Sequence, residues 1–224
     1  MRIAFLHQPN DPYTNIRIKY FVSQSHQVYS IVFYSKEKQK QLKGVKIISL
    51  PYYPIIRIAF FKRFIYFNII RKITSINNID IFYIISALNS YYLKSSKAKR
   101  NFLEIQGSDV ITAPRKFPFL KLYYRKLWKY ADGITQDSKL AKIKSLSFMP
   151  KDVINETIEI GVDFNVFNET VSGGFVREKF HLGDRPIVFH SRSIKELYNL
   201  ETIIKSIPLV KNKFPLVCFM FTGD

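Results

Sequence analysis

Six short runs that are apolar at nearly every position, residues 3–6, 28–33, 45–50, 79–85, 102–105 and 133–135, constrain the fold of this chain more than any other feature. A strand with one wet face alternates polar and apolar side chains, whereas a strand covered on both faces is apolar throughout. Runs of this kind therefore predict a parallel sheet flanked by helices. Helical patterns fill the gaps. A first helix is expected to open at Asn10, Asp11 and Pro12, where a capping side chain precedes a proline that has no amide hydrogen to satisfy. A second is expected from Ala113 and Pro114, with Leu120, Tyr123, Tyr124 and Leu127 at helical spacing, and a shorter one after Ser138. The fold class is α/β, doubly wound and Rossmann-like, with a mainly parallel sheet.

The pattern breaks once, where Asn168, Glu169, Thr170, Ser172, Gly173 and Gly174 interrupt the apolar rhythm. This predicts a first domain over 1–164, a linker over 165–184 and the start of a second domain over 185–224. A brief helix over 175–182 closed by Gly183, a strand over 186–190, a helix over 200–211 and a strand over 216–221 are expected there. The last three make one βαβ unit, which alone cannot cover both faces of its sheet.

Charge narrows the partners. Thirty-five Lys and Arg against 17 Asp and Glu leave +18 in 224 residues, which calls either for an anionic partner or for the bland explanation that A/T-rich codons enrich Lys with Ile, Asn, Phe and Tyr. A single cysteine, Cys218, rules out a disulfide framework, and His7, His26, His181 and His190 are too dispersed to make a metal cluster. No metal and no cofactor are expected. No apolar leader segment follows Met1, so a cytoplasmic location is expected. Arg57, Lys62 and Arg63 interrupt the most hydrophobic window, residues 55–70, and argue against a membrane-spanning helix. Neither G-x-G-x-x-G after the first strand, nor a P-loop, nor G-x-S-x-G is present.

Seven local patterns, in order, resemble glycosyltransferase family 4, whose members have the GT-B architecture of two Rossmann-like domains. They are the opening strand Met1-Arg-Ile-Ala-Phe-Leu; Ser25-His-Gln-Val, similar to "Gly-His-Glu-Val"; Ile79-Asp-Ile-Phe-Tyr; and Glu104-Ile-Gln-Gly-Ser-Asp109, similar to "His-Gly-Ser-Asp". Ala131-Asp-Gly-Ile-Thr-Gln-Asp-Ser138 and Glu159-Ile-Gly-Val-Asp-Phe-Asn-Val-Phe167 follow, and then Ser191-Arg-Ser with residues 198–208 and Phe221-Thr-Gly-Asp224 at the start of the donor domain. The resemblance implies a retaining hexosyltransferase that uses a nucleotide-diphosphate sugar without an obligatory metal and acts on a glycan or lipid-linked acceptor in envelope polysaccharide biosynthesis. It places Arg192 on the diphosphate, with Lys195 and Gly223 beside it; a guanidinium stays charged and can donate two parallel hydrogen bonds to phosphate oxygens. Gln8, Asn10, Gln106, Gly107, Ser108, Asp109, Ser138 and Gly161 follow expected strands, at the carboxyl ends where open α/β sheets bind ligands, and are expected to line the acceptor-side cleft. Gly107 and Gly161 would allow tight turns there, while Asp109 and Ser138 also suit plain helix caps.

The chain departs from the family pattern at four places. His7-Gln-Pro-Asn-Asp-Pro12 stands where relatives often have a glycine-rich loop after the first strand. Gln106 stands where many relatives have histidine, Tyr198-Asn199 stands where they have Lys-Gly, and the Glu-x7-Glu segment that contacts the transferred sugar and the ribose would lie beyond Asp224. On that reading the donor domain is truncated, the catalytic residues are unassigned and the chain alone is expected to have little transferase turnover. An inactive acceptor-binding fragment remains an alternative.

Residues 52–72 and 115–129 interleave Lys and Arg with Phe, Tyr, Ile and Trp128. One reading is an amphipathic helix on the inner face of an anionic cell membrane, with Arg57, Lys62, Arg63, Arg71 and Lys72 toward the headgroups. The other is an ordinary helix buried against the sheet with a solvated basic edge. A nucleic-acid-binding module is a further competing class, but no helix-turn-helix, RRM or zinc pattern accompanies the charge, and no nucleic acid is expected.

Overall fold

The computed structural model describes residues 1–35, 39–51, 59–164 and 166–223. They form two compact units, Met1–Val162 and Asp163–Asp224. In the first unit seven strands make one sheet: β1 (Arg2–His7), β2 (Gln27–Val32), β3 (Val45–Ser49), β4 (Ile81–Ile85), β5 (Arg100–Ile105), β6 (Gly133–Gln136) and β7 (Ile154–Thr157). Their order is β3-β2-β1-β4-β5-β6-β7 and every neighbouring pair is parallel. The six apolar runs are the first six strands. β7 was not legible, because Ile154-Asn155-Glu156-Thr157 has no apolar run; as an edge strand it has one neighbour and leaves Ile154 exposed.

Burial on both faces is visible along β1. The pleat sends Ile3 and Phe5 to one side, against Ile18, Val28 and Val45, and Ala4 and Leu6 to the other, against Ile31, Phe82 and Ile84; all are buried. Helix α1 (Pro12–Ser23) covers the Phe5 side. The Asp11 carboxylate accepts from the amides of Tyr13 and Thr14, both at 3.3 Å, and Pro12 opens the helix without an orphan donor.

The Leu6 side is covered by α2 (Ala59–Ile76), a 3-10 segment (Ala87–Ser95), α3 (Gly107–Ile111), α4 (Ala113–Lys116), α5 (Phe119–Trp128) and α6 (Lys139–Ser145). The helix expected from Ala113 is two helices. Proline disfavours helical backbone in the residue before it, and Phe117, preceding Pro118, lies at φ −131°, ψ 82°. Trp128 anchors this layer: it is fully buried, stacks on Tyr124 at 5.0 Å, and its indole N–H donates to Ser90 Oγ at 2.9 Å.

In the second unit, β8 (Ile187–His190) and β9 (Cys218–Phe221) pair in parallel around α8 (Leu200–Lys213), after a short α7 (Gly174–Lys179). This is the βαβ unit anticipated, with α8 reaching two residues further. Among its described hydrophobic residues only Leu182 and Val217 are buried, whereas Val188 and Phe189 on β8 are exposed.

Trp128→Ala is expected to cost about 3–5 kcal/mol, since it empties the centre of the α5 contact. Trp128→Phe, which keeps most of the bulk and loses the indole hydrogen bond, should cost clearly less. Urea unfolding followed by far-ultraviolet circular dichroism separates the two, and equal small losses would show that Trp128 is not an anchor.

Candidate functional site

Strand order reverses beside β1: the chain first adds β2 and β3 on one side, then crosses to add β4 to β7 on the other. Loops leaving β1 and β4 diverge there, which opens a crevice at the carboxyl ends of the strands. A cleft of about 540 Å³ occupies that point. Gln8, Asn10 and Gln106 line it, as expected from the sequence, together with Ser86, Leu88 and Asn89 from the turn after β4. The last three were missed because they carry no motif. The strand at 79–85 announced that a loop follows, but only the strand order shows that this loop faces the one after β1.

Two cleft residues adopt left-handed backbone without being glycine, Asn10 at φ 57° and Ser86 at φ 77°. Such positions are costly unless their surroundings hold them. The Asn10 amide donates to Gln39 Oε1 at 2.7 Å, and Asn10 Oδ1 accepts from the Lys40 amide at 2.9 Å. Ser86 donates through its amide to Glu104 O at 3.0 Å and through its hydroxyl to Asp109 Oδ1 at 3.1 Å.

Asp109 is therefore behind the cleft wall. Only 4% exposed, its carboxylate also accepts from the amides of Ala87 at 2.8 Å and Gln106 at 3.2 Å, so it joins the loop after β4 to the loop after β5. Burial raises its pKa, while the Ala87, Gln106 and Ser86 donors oppose the rise. The other expected acceptor-side residues do not line this cleft. The Gly107 amide donates to Asp137 Oδ2 at 3.4 Å, Ser108 is exposed on α3, and Ser138 caps α6 by accepting from the Ala141 amide at 3.3 Å. Gly161 lines a separate groove of about 260 Å³ with Tyr13, Arg17 and Tyr20 of α1 and with Ile158 and Ile160. Neither Gly107 nor Gly161 has the positive φ that would require glycine.

Beneath α1 lies a buried polar group that sequence reading passed over. Arg17 Nη2 meets Glu104 Oε1 at 3.0 Å, and Tyr83 Oη shares a 2.6 Å hydrogen bond with Thr135 Oγ1. Glu104 Oε2 and Asp137 Oδ1 are buried without a partner among the described residues. Burial pushes the Glu104 carboxyl up to about 7; the Arg17 guanidinium opposes this, and Asp11 and Asp137 reinforce it. His7 is buried too, its ring nitrogens on Gln8 O at 2.7 Å and Ser30 Oγ at 2.8 Å, and burial lowers its pKa.

In the second unit, Arg192 and Lys195 follow β8 and Gly223 follows β9. A Cβ on Gly223 would sit 2.8 Å from Arg192 O, so only glycine lets the end of β9 approach that loop. The Arg192 guanidinium lies 4.9 Å over the Tyr198 ring. Lys195 lines a hollow of about 220 Å³ with Ile194, Glu196, Asn199, Leu200 and Glu201, at the start of α8. Asn199 is left-handed at φ 47°, the conformation in which the glycine of the family's Lys-Gly pair would be unstrained.

Of the residues read as membrane-facing, Arg57 lies outside the described residues. Lys62 sits 5.5 Å over the Tyr66 ring and Arg63 is exposed. Arg71 and Lys72 line a shallow groove of about 430 Å³ with Asn68, Ser75, Ile76 and Lys97. Among the described residues, no helix is long and apolar enough to cross a membrane, and no group of His, Cys, Asp or Glu is arranged to hold a metal ion.

The Glycosyl transferase 4-like family model matches residues 2–138. No curated protein sequence matches the chain. Among solved structures, it resembles UDP-GlcNAc 2-epimerase from Neisseria meningitidis bound to UDP-GlcNAc, with a TM-score of 0.71 and 9% identity, covering 100% of this chain and 66% of that one. It also resembles the E. coli trehalose-6-phosphate structure bound with UDP-2-fluoro glucose, at 0.68 and 8%, covering 99% and 64%. Anabaena HepE in complex with UDP-glucose matches at 0.59 and 13%, covering 100% and 70%. The chain thus spans about two thirds of these structures, and at such identities the likeness is one of fold.

Glu104 gives a pH prediction. Its folded pKa near 7 exceeds the ordinary 4.5, so its contribution to stability is full below about 4.5 and is lost as pH rises through 7. His7, with a lowered pKa, acts in the opposite sense, favouring the fold as pH rises. The readout is the difference between proteins: Glu104→Gln should gain Tm relative to wild type between pH 5 and pH 8, and parallel Tm profiles would contradict the assignment.

Proposed function

Because the chain belongs to the Glycosyl transferase 4-like family, we propose that it is a glycosyltransferase-type protein that binds a nucleotide-diphosphate sugar and presents an acceptor for retaining hexose transfer. The observation that carries this reading is the coincidence of the family match with the cleft: residues 2–138 include β1, β4 and β5, whose carboxyl ends build it. The solved structures of similar fold that were captured with UDP, UDP-glucose or UDP-GlcNAc support a nucleotide-sugar donor.

In this proposal residues 1–164 are the acceptor side, 165–184 the linker and 185–224 the donor side. Arg192 stands on the diphosphate, where a fixed guanidinium stabilises the negative charge that grows as the nucleotide diphosphate leaves. Its position over Tyr198 restricts it and lowers the cost of ordering it on phosphate. Lys195 and the amide at Gly223 are further donors. Glu196 and Glu201, on the same hollow as Lys195, repel a second phosphate and so favour Arg192 as the main contact. In the acceptor cleft the Gln106 amide can both donate to and accept from a sugar hydroxyl, but it cannot exchange a proton near neutral pH, so a titrating role for this position is not part of the proposal. The acceptor is a glycan or a lipid-linked glycan of envelope polysaccharide synthesis, and the protein works in the cytoplasm.

Binding is the appropriate test. Calorimetric titration with UDP-glucose, GDP-mannose and ADP-glucose should show saturable binding of one donor. Arg192→Ala should weaken it by about tenfold to a hundredfold, the range of a hydrogen bond to a charged group. Unchanged affinity in that variant would remove Arg192 from the site, and no binding by any of the three would remove the nucleotide-sugar reading.

A further inference from the structure

The layer on the Leu6 side of the sheet has an unusual charge distribution. Four of its six segments, α2, the 3-10 segment, α4 and α5, carry ten Lys and Arg and no Asp or Glu, α6 adds three Lys, and the one acid of the layer, Asp109 on α3, is buried. None of the ten forms a salt bridge with a described residue. The acids of the first unit that form ion pairs sit on strands and loops: Asp80 pairs with Lys99, Asp132 with Arg100, and Glu104 with Arg17. A uniform enrichment in lysine would not by itself clear exposed carboxylates from one layer.

The same layer exposes large apolar side chains at one end. The chain leaving α2 bonds to the start of β1 through the Asp80 amide on Arg2 O at 2.8 Å. The chain leaving α5 bonds to the start of β5 through the Asp132 amide on Asn101 O at 2.8 Å. Both helices therefore begin at the carboxyl edge of the sheet, the edge that holds the cleft. There Phe64 is 55% exposed, and around the start of α5 Phe117, Phe119 and Leu122 are 54%, 66% and 71% exposed. Both helices pack on the 3-10 segment between them, α2 through Phe67 on Tyr91 at 5.3 Å and α5 through Trp128 on Ser90, so the segment joins them into one face.

We propose that this edge docks on an anionic lipid surface, with Phe64, Phe117, Phe119 and Leu122 entering the headgroup boundary and Lys62, Arg63, Arg115, Lys116 and Lys121 against lipid phosphates. Charge complementarity chooses the partner: cationic helices that expose no carboxylate attract an anionic leaflet, and apolar tips beside them gain by leaving water. Nucleic acid fits less well, since Leu122, the most exposed of these four apolar side chains, cannot stack on a base. The structure also moves the lipid-facing set. Arg71 and Lys72 sit on the last two turns of α2, more than two helical turns from Lys62, so they lie away from this edge. That the docked lipid presents the acceptor to the cleft rests on the glycosyltransferase reading; docking itself does not.

Vesicle sedimentation of the full chain tests docking. At low salt, wild type should pellet with phosphatidylcholine vesicles containing about 30% phosphatidylglycerol and stay in solution with phosphatidylcholine alone. Lys116→Glu with Lys121→Glu should weaken partitioning at least about tenfold, whereas the matched charge change Lys211→Glu with Lys213→Glu on α8 should not. Phe119→Ser with Leu122→Ser should leave binding that about 0.5 M salt abolishes, while wild type retains a share. Equal recovery with both vesicle types, equal losses from the two charge-reversal pairs, or retention on poly(U) without vesicle binding would overturn the proposal. UDP-glucose titration of the same variants keeps failure of docking distinct from failure of the donor site.

Discussion

Parallel pairing is the constraint on which this structure turns. Parallel neighbours cannot be joined by a hairpin, so each step along the sheet requires a crossover, and crossovers lay helices over both faces. That is why the inner strands are mostly apolar and why Ile3 and Leu6, pointing opposite ways, are both buried. It also fixes where a ligand can enter. Once β2 and β3 have taken one side of β1, the chain must return to place β4 on the other, and the loops leaving β1 and β4 part at the carboxyl edge.

The walls of that opening are held by polar groups taken out of water, and the two buried acids meet the cost differently. Asp109 accepts three hydrogen bonds, from Ser86, Ala87 and Gln106, and they hold a strained turn in place. Glu104 has the Arg17 guanidinium and the Tyr83 hydroxyl beside it, and its burial lifts its pKa to about 7. One carboxylate organises the cleft; the other makes the α1 contact sensitive to pH.

Much of the frame was legible in the residues because it rests on burial, which leaves an apolar record. Six strands, the Asp11–Pro12 helix start and the βαβ unit after residue 185 all belong to that record. β7 left none, being an edge strand with polar positions, and the break at Pro118 was overlooked beneath a strong helical spacing. The cleft was half legible. Gln8, Asn10 and Gln106 follow apolar runs, but Ser86, Leu88 and Asn89 matter only because β4 lies beside β1, a fact of strand order that no local pattern encodes. Asp109 read as a helix cap or a ligand contact, and the structure gives its carboxylate to backbone and hydroxyl donors.

What joins these observations is the claim that the opening between the β1 and β4 loops receives the sugar of an acceptor. Amide chemical-shift mapping with n-octyl β-D-glucopyranoside, a soluble glycolipid mimic, tests this most directly. The account predicts saturable shifts at Asn10, Ser86, Leu88, Asn89 and Gln106, which are dispersed in sequence and meet only in the cleft. Saturable shifts confined to other surfaces, or none at these five, would contradict it.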